Sequence, residues 1–108
     1  MIDWERVREL QDEIGSDDFA EVVELFLDEV DTVIQTLHDS TGLNELEEAM
    51  HFLKGSALSL GFKEFASLCQ AGESAAKAGA EVQLGSVVKS YTESRSQFVT
   101  ELATQIAT

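Results

Sequence analysis

His51, Lys54 and Gly55 stand within five positions of one another, and that trio can do phosphoryl chemistry if all three face outward. On a helical wheel at about 100° per residue, Leu46, Ala49, Leu53, Ala57 and Leu60 share one side, flanked by Met50 and Phe52. His51 falls almost opposite that stripe, as do Gly55 one turn on and Leu58, with Lys54 beside them. A histidine there is on the wrong face for the core. Imidazoles titrate near neutrality, so at pH 7 much of the population carries a nucleophilic lone pair. Gly55 costs a helix about 1 kcal/mol relative to alanine. On an exposed face the return is space, through which a bulky partner can reach the imidazole. Lys54 is one of only seven basic residues and sits three positions from His51, where an ammonium can neutralise phosphoryl oxygens. Lys63, just past Gly61, is a second cation nearby in sequence.

A carboxylate completes the set. Glu73 falls within an apolar stripe with Phe62, Cys69 and Ala76, and burying a carboxylate without a partner is costly. Counted from the turn at Gly61, His51 is ten residues back and Glu73 twelve forward. At the helical rise these lie at about 15 and 18 Å, within one turn of the same height. In a helical hairpin Glu73 can therefore accept the Nδ1 proton of His51, fixing the tautomer whose Nε2 keeps its lone pair. The other reading of Glu73 is a side chain turned out to solvent at the bundle edge.

The elements that must position these groups are helical. The chain contains no proline, and its apolar residues recur at three- and four-residue spacings. Asp3 can cap a first helix to about Ile14, with Ile2, Val7, Leu10 and Ile14 inward. Gly15 ends it, and Ser16, Asp17 and Asp18 offer caps and early acidic charge to a long second helix. Its stripe is Phe19, Val22, Val23, Phe26, Val30, Val33, Ile34 and Leu37, with His38 near its end in a structural role. Asp39-Ser40-Thr41-Gly42 breaks the chain. Asn44 and Glu47 form a capping-box pattern for a third helix ending near Gly61. A fourth runs from Phe62 to about Gly79, with Phe65, Ala66, Cys69 and Ala76 inward. A fifth runs from about Glu81, with Leu84, Val88, Tyr91, Phe98, Leu102 and Ile106 inward. The expected fold is all-α: an antiparallel four-helix bundle with a short N-terminal helix capping one end and Trp4 as a lid, residues 1–108 forming a single domain.

Composition narrows the partners. A net charge of −14 repels nucleic acid and anionic membrane surfaces, so any phosphate-handling site must bring its own local cations. No apolar run approaches the roughly 18 residues needed to cross a bilayer, and the start of the chain lacks a basic-then-apolar signal. The single cysteine, Cys69, cannot form an internal disulfide, which fits a reducing compartment and a cytoplasmic location. Glu48 and His51 have the Glu-x-x-His spacing of di-iron bundles, but such a site needs a second copy pointing inward, and His38 has Gln35 at that offset. No metal site is expected.

The run His51-Phe52-Leu53-Lys54-Gly55-Ser56-Ala57-Leu58-Ser59-Leu60-Gly61-Phe62 resembles the signature of histidine-containing phosphotransfer (HPt) domains of two-component phosphorelays. That resemblance implies that His51 is phosphorylated on Nε2, that Lys54 steadies the phosphoryl oxygens, that Gly55 keeps the approach open, and that Glu73 contacts the histidine. Leu58, Phe62 and Lys63 would help dock a receiver domain, and Ser56, toward the core side of the wheel, would pack. The implied activity is carriage of a phosphoryl group from a receiver-domain aspartate, or a kinase, to a response-regulator aspartate, with no turnover by the chain alone. No cofactor would be bound, since phosphoryl transfer needs a metal and the receiver would supply magnesium. The implied partners are response-regulator receiver domains and a sensor or hybrid histidine kinase, met by a monomer. The alternative is a bundle that binds signalling proteins as an adaptor and is never phosphorylated. A chain of one domain's length that begins with methionine fits a free-standing carrier or a piece of a larger kinase.

Overall fold

Asp3 begins the first helix as the pattern requires: its carboxylate accepts a hydrogen bond from the Arg6 amide at 3.3 Å. The computed structural model describes residues 2–37 and 42–106, without the side chain of Ile106, and contains five helices. These are α1 (Trp4–Ile14), α2 (Ser16–Thr36), α3 (Leu43–Leu60), α4 (Lys63–Lys77) and α5 (Leu84–Ile106). The chain is all-helical, with one isolated bridge between Ile2 and Phe62 and no strand among the described residues. The expectations for His38, for the break at Asp39-Ser40-Thr41 and for the side chain of Ile106 lie outside the described residues.

The helix starts differ from the expected caps in two places. Gly15, at φ +96°, is the N-cap of α2, so Ser16 is already helical and Asp17 and Asp18 place negative charge in the first turn. Gly42 is the N-cap of α3, with no side-chain cap bond, so Asn44 lies inside the helix and the capping box does not form. The fifth helix begins at Leu84, three residues later than its pattern suggests, because Val82 is buried in the core from the connecting segment.

One core runs the length of the bundle. Val23, Leu27 and Val30 of α2 meet Met50, Leu53, Ala57 and Leu60 of α3, Phe65 and Cys69 of α4, and Val87, Tyr91 and Phe98 of α5. Each large side chain so buried contributes roughly 1.5–3 kcal/mol. Leu27 and Val87 are core residues that the stripes had left out, each one position from a residue that the pattern did include. On the α2–α5 seam, Asp31 accepts hydrogen bonds from the Tyr91 hydroxyl and, at 3.2 Å on each oxygen, from Arg95.

The turn between α3 and α4 is closely packed. Gly61 adopts φ +77°, and the Phe62 amide bonds back to the Ala57 carbonyl at 2.8 Å. A Cβ on Gly61 would lie 2.6 Å from the Asp3 carbonyl oxygen, and the Asp3 amide donates to the Gly61 carbonyl at 2.7 Å. α1 is thereby fastened across this end of the bundle. Trp4 stacks on Phe98 with ring centroids 5.7 Å apart, which is the lid expected of it.

Candidate functional site

α3 and α4 form the hairpin that the spacing of His51 and Glu73 called for. Two cross-links set its antiparallel register: His51 to Glu73, and, one turn toward the Gly61 joint, Lys54 to Gln70. Close approach at this level depends on Gly72. A Cβ there would lie 2.8 Å from the sulfur of buried Met50 and 3.3 Å from Val82. With no side chain at position 72, the neighbouring Glu73 is brought within reach of α3.

Glu73 uses both carboxylate oxygens. Oε2 lies 3.0 Å from Nδ1 of His51 and Oε1 lies 2.8 Å from Nζ of Lys54. Its side chain is only 15% exposed, so the reading in which it turns out to solvent is not the one adopted. The hydrogen bond from Lys54 holds its carboxyl below the usual glutamate value, opposed by desolvation and reinforced by the hydrogen bond from His51. An ionised carboxylate can only accept, so Nδ1 carries the proton and donates it. In the neutral ring Nε2 then keeps its lone pair, on the side of the ring away from Glu73. The imidazole itself is 70% exposed.

The ground around the ring is open. Nothing lies within 4 Å of the position a Cβ would take on Gly55. A shallow groove of about 400 Å³ runs past His51 between Phe26, Phe52, Gly55 and Ser59. A second depression, toward the Gly61 joint, is lined by Lys54, Leu58, Lys63, Ala66 and Gln70. Leu58 and Phe52 are exposed apolar side chains, and Lys63 is an exposed cation beside Leu58. Ser56 is buried, as its place on the wheel implied.

Phe62 is a correction. Expected at the docking surface, it is wholly buried, with its ring 5.3 Å from that of Phe98 and 6.3 Å from that of Tyr91. The turn at Gly61 reverses the chain and carries Phe62 onto the inward stripe of α4 with Cys69 and Ala76, away from the outward face of α3 where the docking role would put it.

Gln70 was missed by sequence reasoning. Its Oε1 accepts from Lys54 Nζ at 2.9 Å, and its amide donates to Ser74 Oγ at 3.2 Å. The signal was available: Gln70 lies one turn before Glu73, as Lys54 lies one turn after His51 in the facing helix. Elsewhere, burial pushes the Cys69 thiol up to about 12, leaving it an inert core group. Among the described residues no three His, Cys, Asp or Glu side chains converge on a metal position, and no helix is long and apolar enough to cross a membrane.

Comparison with known proteins gives a family match. The family model described as "Hpt domain" matches residues 21–108. The chain is 38% identical over 64 residues to the phosphorelay protein LuxU of Vibrio harveyi, covering 56% of this chain and 56% of that protein. It is 33% identical over 72 residues to histidine-containing phosphotransfer protein 5 of Arabidopsis thaliana, covering 61% of this chain and 46% of that one. The match thus spans about half the length of these curated relatives. No solved structure matches the chain.

Proposed function

The chain belongs to the Hpt domain family, and on that footing we propose that it carries a phosphoryl group on His51 between the proteins of a phosphorelay. The donor is an aspartyl phosphate of a receiver domain, or a kinase, and the acceptor is a response-regulator aspartate. Nε2 of His51 attacks the phosphorus in line, the Nε2–P bond forms as the acyl P–O bond breaks, and the carboxylate leaves. Nδ1 keeps its proton throughout, and the positive charge gained by the ring is balanced by the Glu73 carboxylate. Passing the group on is the same step in reverse with a second aspartate.

The observation that carries this reading is the His51–Glu73 pair, which fixes the reactive nitrogen on an exposed ring over an unobstructed helix face. Phosphoryl transfer depends chiefly on positioning and charge neutralisation. Lys54 supplies a cation, Gly55 leaves the approach clear, and Leu58 and Lys63 line the surface on which a receiver would rest. The magnesium that the reaction needs comes with the receiver, so the chain is a carrier of one phosphoryl group and turns nothing over alone. In this reading it acts in the cytoplasm as a monomer, within a single domain.

The test is incubation with a phosphorylated receiver domain and magnesium, followed by assay for acid-labile, base-stable label. The wild-type chain takes up label and His51→Gln does not. Label of that kind on His51→Gln would remove His51 from the role.

A further inference from the structure

Resting on the phosphocarrier reading, we propose that Gln70 is a positioning residue that parks the Lys54 ammonium on α4 and thereby sets how readily His51 is phosphorylated. Lys54 Nζ is held by two oxygens of α4, Gln70 Oε1 at 2.9 Å and Glu73 Oε1 at 2.8 Å, and its side chain is only 24% exposed. Glu73 contacts the ring at Nδ1, so this resting ammonium sits on the Nδ1 side of the imidazole. The phosphoryl group arrives at Nε2, and the two ring nitrogens point in divergent directions. Two of its three N–H donors are thus taken by α4, and turning the ammonium toward phosphoryl oxygens on Nε2 strains that hold.

Lys54 therefore has two stations, and the move between them loosens its hold on α4. Gln70 marks the first station. It is itself steadied there, because its amide donates to Ser74 Oγ one turn further along α4. An interaction made in the ground state and lost on the way to the transition state raises the barrier. Gln70 thus trades speed of phosphorylation for a lysine kept in place. Its chemistry makes that trade mild, since a neutral amide oxygen binds an ammonium more weakly than a second carboxylate would.

Phosphoramidate is a suitable probe, because it needs no partner protein: the Nε2–P bond forms as the P–N bond breaks, and ammonia leaves with the bonding pair. Removing the acceptor in Gln70→Ala is expected to speed labelling of His51 roughly threefold to tenfold, the span of one net hydrogen bond weakened by solvent screening. Gln70→Glu, which strengthens the hold, is expected to slow it by a similar factor. Ser74→Ala, which only loosens Gln70, should give a smaller acceleration. A merely structural role for Gln70 would slow labelling in Ala and Glu variants alike, and that result, or no change in either, overturns the proposal. In a Lys54→Met background the Gln70 effect should vanish; an effect that persists there also overturns it. Ring 15N shifts of His51 should be the same in wild type and Gln70→Ala, since Glu73 still holds Nδ1, and a shifted tautomer would mean that Gln70 acts on the ring and not through Lys54. Wild-type chain that takes no label from phosphoramidate or from a phosphorylated receiver sinks the carrier reading and this one together. Label on wild type with unmoved Gln70 variants sinks this one alone.

Discussion

Nδ1 of His51 lies 3.0 Å from Oε2 of Glu73, and this one contact across the α3–α4 hairpin decides which ring nitrogen is free to react. The second oxygen of the same carboxylate holds Lys54, so nucleophile and cation are tied to a single side chain. Groups that orient a working histidine are commonly worth 10–100-fold in activity. Glu73→Ala should slow phosphoryl uptake from a receiver by about that factor and leave His51 as a mixture of tautomers in 15N spectra. Glu73→Gln should do less damage, because its amide oxygen can still accept from Nδ1. An Ala variant with an unchanged single-turnover rate would mean that the ring needs no orienting group.

The two glycines of α3 and its end make opposite predictions for one substitution. Gly55 is helical with no neighbour within 4 Å, so Gly55→Ala should stabilise the fold by about 0.5–1 kcal/mol, read from the urea midpoint. Gly61 is left-handed and pressed on the Asp3 carbonyl, so Gly61→Ala should cost at least about 1–2 kcal/mol. Gly55→Gln adds bulk without unfolding anything. It should slow transfer from a receiver domain while leaving labelling by phosphoramidate nearly unaffected, because only a large partner needs the cleared face. Equal slowing of both reactions would place the effect on the chemistry of His51 instead of on access.

Much of this arrangement was legible in the sequence. The outward face of His51, Lys54 and Gly55 follows from helical periodicity, and the meeting of His51 with Glu73 follows from counting residues to a glycine turn. Phe62 shows where a motif misleads: it follows a left-handed glycine and belongs to the inward stripe of α4 with Cys69 and Ala76, so carrying the outward face of α3 past that turn misplaces it at the docking surface. Gln70 was missed for a different reason. A polar residue on an exposed helix face has no pattern to violate, and its meaning comes from the lysine it meets on another helix. The Asp31–Tyr91–Arg95 cluster is of the same kind, a tertiary pairing between residues that each look like ordinary surface or core positions.

Phe62 and Leu58 separate stability from recognition. Phe62 is fully buried between aromatic rings, so Phe62→Ala should cost about 3–5 kcal/mol and can prevent folding at all. Leu58 is 58% exposed, and Leu58→Ala should change the unfolding midpoint little. Its effect should appear in titrations with a receiver domain, as weaker binding by a factor of roughly 5–30 if the side chain is a central contact. Unchanged affinity with Leu58→Ala would move the docking surface elsewhere.

The Glu73 carboxyl supplies a prediction with a sign. Its hydrogen bond from Lys54, then that from His51, lower its value in the folded chain beneath the ordinary 4.5 despite partial desolvation. A carboxylate whose folded value is depressed stabilises the fold fully above its unfolded value, about 4.3, and loses that contribution as pH falls through the lower folded one. The advantage of wild type over Glu73→Gln in unfolding free energy that comes from this carboxylate should therefore shrink below about pH 4.5. The same carboxyl can be followed directly by its 13C shift. Its midpoint should lie below 4.5 in wild type and rise in both Lys54→Met and His51→Gln, more in the former because the lysine is the stronger influence. A larger rise in His51→Gln would reverse that order and make the histidine, not the lysine, the chief partner of the carboxylate.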